Sequence, residues 1–346
     1  MNRSARRRIH RALWLVPLVT LHLVLLFPGF FAPYDFAEQN RDFPFRPPAR
    51  LRFVDANGAF HLRPFVYALK VDDVSSVVQE DTSRVFPLRF FINGSRYSVL
   101  GPWNARLHLF GVESPGRLWL FGTDDFGRDL FSRILFGGRI SVFAGILGAA
   151  IALLAGASLG VIAGFYGRGA DAAFMRLVEL FLALPWLYLL LAVRAVLPLR
   201  VRTVDAFLLL VAVTGLIGWA RPARLVRGIV LSARERGFVL AARSMCASDW
   251  YILRRHILPQ TYATLLTTAV LLVPQFILAE VTLSFLGLGV SEPIPSWGNL
   301  LAQLQSYRVL TSYWWMYLPA ATLVMLFLLY HCASSALEKR ATRVSL

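Results

Sequence analysis

Apolar and polar positions along this chain alternate in blocks of tens of residues. Arg3, Arg6, Arg7, Arg8 and Arg11 precede an apolar run over residues 12–31. A basic head before such a run fits a cleavable signal peptide, but no Ala-x-Ala-like site follows. A stretch of about 20 residues can cross a bilayer, so it is read as an uncleaved first span. Further apolar runs lie at 140–163, 177–197, 206–220, 263–288 and 317–332. Together they predict six transmembrane helices, the fourth short unless it extends past Arg221. The second is rich in Ala, Gly, Leu and Ile, which predicts a helix packed through small residues.

Residues 32–123 differ in kind. Residues 51–54 and 60–62 flank Asp55-Ala-Asn-Gly, and 88–92 and 96–100 flank Asn93-Gly-Ser. Asn-Gly between β-prone runs predicts a hairpin at each place. Residues 106–112 and 117–121 are further strand candidates. About 90 residues suffice for a small β-rich domain, expected outside the cytoplasm between spans one and two.

Composition fixes the setting. Of 346 residues, 57% are hydrophobic and 16% charged, with mean hydropathy +0.57. Soluble domains run at about 45–50% apolar and about 25% charged, so a single soluble domain and a disordered chain are both excluded. The net charge is +16, and Lys70 and Lys339 are the only lysines among 36 basic residues. A basic chain raises nucleic-acid binding, but membrane proteins collect such residues on cytoplasmic loops, and the apolar composition favours the membrane. The expected cytoplasmic pieces 1–11, 164–176, 221–262 and 334–346 hold 18 basic residues. The short outer loops 198–205 and 290–316 hold Arg200, Arg202 and Arg308. Both termini are therefore expected in the cytoplasm.

Several chemistries lack their residues. Neither lysine follows a glycine, so no P-loop exists, and H-E-x-x-H and G-x-S-x-G are missing. Cys246 and Cys332 give no disulfide framework or metal spacing, and the six histidines do not cluster. Neither catalytic nor metal-ligating residues are expected.

Residues 221–262 carry eight arginines. Residues 232–245 have helical composition, and Cys246-Ala247 supplies a break. Ser248-Asp249 supplies an N-cap with a first-turn acid, opening a second helix over 250–258 that Pro259 closes. Such a loop is either a docking surface or a basic segment against lipid headgroups.

Residues 234–249, Arg-Glu-Arg-Gly-Phe-Val-Leu-Ala-Ala-Arg-Ser-Met-Cys-Ala-Ser-Asp, with Arg-His-Ile-Leu-Pro at 255–259, resemble the EAA loop of binding-protein-dependent ABC importer permeases. The family pattern is E-A-A, three residues, G, nine residues, I-x-L-P. Ala241, Ala242, Leu258 and Pro259 fit it. His256 stands at the Ile position, as in the dipeptide/oligopeptide/nickel subfamily. Leu240 replaces the Glu and Cys246 the Gly. That Gly serves the turn, and Cys reaches left-handed φ only at a cost. Residues 121–133 (Phe-Gly-Thr-Asp-Asp-Phe-Gly-Arg-Asp-Leu-Phe-Ser-Arg), 138–141, 278–289, 295–299 and 31–35 are similar to the C-type subunit of these systems. The resemblance is strong over 119–320. The segment 36–118 is longer than the usual outer loop, and 331–346 departs from the family ending.

The resemblance implies an all-α polytopic membrane protein with the six-helix ABC importer type I permease fold and a β-rich insert. Its expected parts are 1–31 (basic head and first helix), 32–123 (insert), 124–333 (permease core, with the loop 221–262) and 334–346 (tail). It implies half of a pathway for peptides or similar solutes such as nickel chelates. The implied partners are a second, B-type permease, two ABC ATPases and an extracytoplasmic solute-binding protein. ATP and Mg would be bound by the ATPases, with no cofactor or enzymatic activity in this chain. Coupling would fall to Val239, Leu240, Ala241, Ala242, Arg243, Cys246, Ala247, Ser248, Asp249, His256, Leu258 and Pro259, with docking over 239–249. Ala241 and Ala242 would allow close backbone approach. Arg243 either pairs with ATPase acids or is a solvated charge.

Outside the loop, Glu280 is either a pathway residue or a structural partner at a subunit interface. Pro185 and Pro274 kink helices for packing or gating. Glu179 snorkels or pairs with Arg176, and Arg194 snorkels outward. Trp297 anchors the outer bilayer interface or borders the surface facing the binding protein. The insert contacts the binding protein or the partner permease, or only packs. Two other classes compete: a membrane-bound sensor whose insert binds ligand, and an ion-coupled carrier, which needs charged pairs near the midplane where only Glu280 lies deep.

Overall fold

A computed structural model of the chain describes residues 16–71, 78–99, 103–196 and 203–344. The basic head at 1–11, Arg200, Arg202 and the side chain of Arg194 lie outside the described residues. The chain divides into two compact units. One comprises Val19–Ser141 with Val290–Val324; the other comprises Val142–Gly289 with the described parts of Met1–Leu18 and Met325–Leu346.

The first unit begins with α1 (Val16–Leu26) from Val19 onward, followed by α2 (Pro28–Phe31). Strands β1 (Arg52–Val54), β2 (Phe60–Val71) and β3 (Val78–Pro87) form one antiparallel sheet, and β4 (Arg89–Ser98) and β5 (Asn104–Gly111) another. The turn at Asp55–Gly58 forms where Asn-Gly predicts it. Gly58 takes φ +81°, and Asp55 Oδ1 accepts from the N–H groups of Asn57 and Ala59, both at 2.9 Å.

The second predicted turn does not form. Asn93-Gly94 lies inside β4, where the register with β5 is irregular between Asn93 and Tyr97. A Cβ on Gly94 would sit 2.7 Å from Cδ2 of the buried His108, so this glycine marks a close approach rather than a turn. Residues 117–121 are not a strand either. Leu118 donates to Tyr34 Oη (2.7 Å), and Trp119 O accepts from Ala49 (2.8 Å), so these groups bond to irregular chain. Strand β3, polar over most of its length, carried no signal in advance.

The stretch 121–133 folds around buried charge. Asp124 is fully buried and accepts from the N–H groups of Phe126 (2.9 Å) and Arg128 (3.0 Å). Its Oδ2 lies 2.7 Å from Arg128 Nε and 3.1 Å from Arg133 Nη1. Glu292 closes the cluster, 2.7 Å from Arg128 Nη1 and 2.6 Å from Arg133 Nη2. Two buried guanidiniums between two carboxylates meet the requirement that charge leave water only when paired.

Trp297, expected at the bilayer interface, is instead fully buried. Its Nε1 donates to Ile134 O (3.0 Å) and its backbone N–H to Ser141 Oγ (3.2 Å). Gly138 leaves room for the indole, since a Cβ there would lie 2.7 Å from Cζ2. Trp297 opens α11 (Trp297–Ala302), capped by Ser296 and Asn299 in a capping box. Helix α12 (Tyr307–Ser312) and the start of α13 (Leu318–Val344) complete this unit.

The second unit is helical. It takes in α3 (Leu130–Tyr166) from Val142 onward, α4 (Arg168–Ala183), α5 (Trp186–Val196), α6 (Thr203–Ile217), α7 (Ala220–Arg234), α8 (Gly237–Ser244), α9 (Asp249–Ile252) and α10 (Leu258–Phe285). Among the described residues four helices are long and apolar enough to cross a membrane: Leu130–Tyr166, Phe207–Arg234, Asp249–Phe285 and Trp314–Ser335. A fifth results if the bent pair α4–α5 counts as one span. The apolar run 177–197 is thus not one helix. Leu184, before Pro185, is extended (φ −76°, ψ 134°), and the axes turn by 91°. The fourth span does extend past Arg221, to Arg234.

Gly156, Gly160 and Gly164 face α7. A Cβ on each would lie 2.6 Å from Trp219 O, 2.5 Å from Ala223 O and 2.8 Å from Val230 Cβ. This is the close backbone approach that small residues permit between apolar helices.

Asp129 generates a pH prediction. It is fully buried at the start of α3, where its Oδ2 accepts from Ser132 N–H (2.8 Å) and Oγ (2.5 Å). Burial, the largest influence, pushes its carboxyl up to about 7. The unfolded carboxyl titrates at about 3.9, so the folded state keeps a proton that the unfolded chain has released. The stability this group contributes is fully present below about pH 4 and is lost as pH rises through about 7. Thermal midpoints in detergent should show wild type losing ground to Asp129→Asn between these values, with a constant difference above.

Candidate functional site

The loop between α7 and α10 is a folded structure with its own core. Its entry is fixed by an ion pair and a hydrogen bond: Arg227 binds Asp171 through Nε–Oδ1 (2.8 Å) and Nη2–Oδ2 (2.5 Å), and Arg234 Nη1 donates to Gly164 O (3.1 Å). Helix α8 ends in a Schellman motif: Ala247 N–H donates to Ala242 O (3.0 Å) and Cys246 N–H to Arg243 O (2.9 Å). Cys246 therefore takes φ +56°. The left-handed conformation costs a non-glycine residue about 1–2 kcal/mol. The same motif closes α10, with Gly287 at φ +73°, Leu288 N–H on Leu283 O (2.8 Å) and Gly287 N–H on Ser284 O (3.0 Å). There the residue is the unstrained one.

Ser248 caps α9 as predicted, its side chain accepting from Tyr251 N–H (3.3 Å), with Asp249 in the first turn. A π-helical turn, Leu253–Ile257, then leads directly into α10. Pro259 does not close this helix as expected. It stands just past the π-helical turn, inside the continuous helix Asp249–Phe285, where it removes one backbone N–H without ending the span.

The predicted residues divide between two faces. Val239 is fully buried with Ile252 and Ile257 against Phe165, Val226, Val230 and Ala233, and Ala242 and Ala247 pack on this cluster. Leu240, Ala241, Arg243, Cys246, Ser248 and Asp249 are exposed, and Leu258 is half-buried. The Arg243 guanidinium lies 5.6 Å from the centroid of the Phe165 ring. His256 is half-buried between the rings of Phe238 and Tyr251, 5.7 Å from each.

Sequence reasoning missed the residues that dominate the outer face. Met245 is 83% and Trp250 67% exposed, beside exposed Phe238, Leu240 and Tyr251. Their signal was the presence of large apolar side chains in an arginine-rich segment, where solvation alone gives no reason for them.

Glu280 lies in α10, fully buried, and its Oε1 accepts from Ser284 Oγ at 2.7 Å. Pro185 marks the helix break, and Trp297 belongs to the other unit. Among the described residues no group of three His, Cys, Asp or Glu could hold a metal ion.

Long apolar helices with a folded, apolar-faced loop between two of them define a polytopic membrane protein. The family of binding-protein-dependent transport system inner membrane components matches residues 156–343. The chain belongs to this family and is a permease subunit. It is 39% identical over 227 residues to a putative peptide transport system permease protein of Brucella suis biovar 1, covering 64% of this chain and 74% of that one. It is 38% identical over 207 residues to the oligopeptide permease protein OppC of Bacillus subtilis (60% and 65%). It is 36% identical over 198 residues to the glutathione permease protein GsiD of Pectobacterium atrosepticum (57% and 64%). Similar solved structures include the inward-facing MetNI methionine ABC transporter (TM-score 0.45, 19% identity, 62% of this chain and 96% of that one). Another is an amino acid ABC transporter with histidines (TM-score 0.45, 19% identity, 60% and 94%).

The strained turn yields a prediction. Cys246→Gly removes the left-handed penalty and should slow amide exchange across 237–252 in the full chain by about fivefold, corresponding to about 1 kcal/mol. Cys246→Val should speed it, because a β-branched residue is worse there.

Proposed function

We propose that this permease is one half of the membrane pathway of an ATP-driven type I importer with six spans, and that the 237–257 loop couples it to an ATPase subunit. The observation that carries the reading is the division of that loop into an inward core and an outward apolar face. The inner face fixes the loop to α3 and α7, so displacement of the loop moves the spans with it. A two-position element of this kind is what nucleotide-driven closure of an ATPase pair requires. Leu240, Met245 and Trp250 fill a groove on the ATPase, while Val239 and Ala242 act from beneath as support. ATP and Mg are held by the ATPases, and this chain carries no cofactor.

The solutes are short peptides or similar small molecules handed over by an extracytoplasmic binding protein, as the names of the relatives suggest. A B-type permease supplies the other half of the pathway. Both termini are cytoplasmic, as the distribution of basic residues argues, and the β-rich insert lies outside. There its exposed Phe60, Leu62, Phe90 and Trp103 favour contact with another protein over packing alone. The sensor alternative has no support among the relatives.

The test is co-purification. Leu240→Glu combined with Met245→Glu should leave the amount of chain in the membrane unchanged and lower recovery of P-loop ATPases at least tenfold. Unchanged recovery would refute the coupling role.

A further inference from the structure

The helical unit carries a half-open cavity of about 360 Å³ that the coupling role does not use. It lies where α4 breaks from α5: Leu182 comes just before the break and Trp186 just after, with Phe276 of α10 among the other apolar walls. Non-helical backbone at membrane depth is tolerated where it lines a cavity, and broken helices recur at solute sites near the midplane.

Polar groups are few: Arg221, Gln275 and Thr214. Arg221 is exposed and stands where the apolar half of the span Phe207–Arg234 gives way to its basic half, which also holds Arg224, Arg227 and Arg234. A cation beside an apolar cavity on a span is either paired within the protein or faces a water-filled pathway. The pairing explanation serves Arg227, which binds Asp171, but Arg221 has no carboxylate partner among the described residues, and no Asp or Glu lines the cavity. Thr214 Oγ1 already donates to Leu210 O (2.8 Å), so it can only accept, and the Gln275 amide can do either.

One cation, no anion and largely apolar, partly aromatic walls fit an amphipathic carboxylate. The volume falls within the range of small-ligand pockets, about 300–1,000 Å³. We infer that this cavity is a transit site for the C-terminal carboxylate of a short peptide, held by Arg221 with its apolar side chains against Trp186 and Phe276. An acyl chain or an apolar helix of the partner permease supplies no anion for Arg221, so the occupant is an anionic amphipath, and ATP-driven uptake separates a peptide from a phospholipid headgroup, which Arg221→Gln would release without slowing transport. The inference rests on the importer reading above.

The experiment uses the complex purified with its own partners and binding protein, reconstituted in liposomes and supplied with ATP and a mixture of di- and tripeptides with free C-termini. Mass spectrometry reads the lumenal peptides. Wild type should accumulate peptides. Arg221→Gln should do so at least tenfold more slowly, Arg221→Lys should stay within threefold of wild type, and all three should retain the partner permease and the ATPases. Wild-type uptake untouched by Arg221→Gln overturns this inference alone. So does a fall in Arg221→Lys as deep as that in Arg221→Gln, or loss of the partner permease from Arg221→Gln, because the arginine would then serve structure rather than solute. No peptide uptake by wild type overturns the peptide reading together with this site.

Discussion

The helical unit depends on the contact between α3 and α7 at Gly156, Gly160 and Gly164. Glycines four residues apart fall on one helical stripe. Each removes a side chain from a place where α7 backbone or Cβ atoms come within contact distance. In an apolar solvent there is no hydrophobic drive to press helices together, so close packing carries the association. Phe165 at the end of that stripe joins Val226, Val230 and Ala233 to form the seat on which Val239, Ile252 and Ile257 rest. The loop therefore takes its place from an intramembrane contact and not from the solvated residues it displays.

This arrangement explains how a short loop can be rigid. Helix α8 has only two turns and α9 only one, and neither is stable alone in water. Order comes from the buried inner residues, the Schellman turn, the Ser248 cap and the Asp171–Arg227 pair. Cys246 works against that order through its backbone, whereas Gly287 meets the same requirement at the end of α10 without strain. The outer face keeps large apolar groups in contact with water, a cost that a docked partner would relieve.

Much of the fold was legible because the bilayer demands long apolar helices, and those leave a plain trace. The Ala/Gly-rich run predicted close packing, and Ser248-Asp249 predicted a helix start that the structure forms. What could not be read was set by distant neighbours. Asn93-Gly94 carries a turn signal, yet the glycine is needed beneath His108. Trp297 looks like an interfacial anchor, yet Gly138 opens a slot that buries it. Pro259 looks like a terminator, yet it sits just past a π-helical turn and the helix runs on through it. In the candidate site, spacing located the loop but not its two faces. Val239 and Met245 are both apolar, and only the position of α7 decides which one points inward.

The α3–α7 contact seats the loop. Gly160→Leu in the full chain tests it, with hydrogen exchange over 237–257 and over α10 as the readout. If the claim holds, the variant reaches the membrane in normal amount, loop amides exchange at least tenfold faster, and those in the middle of α10 keep their protection. Loop protection equal to wild type in a variant that carries leucine at the contact would contradict it.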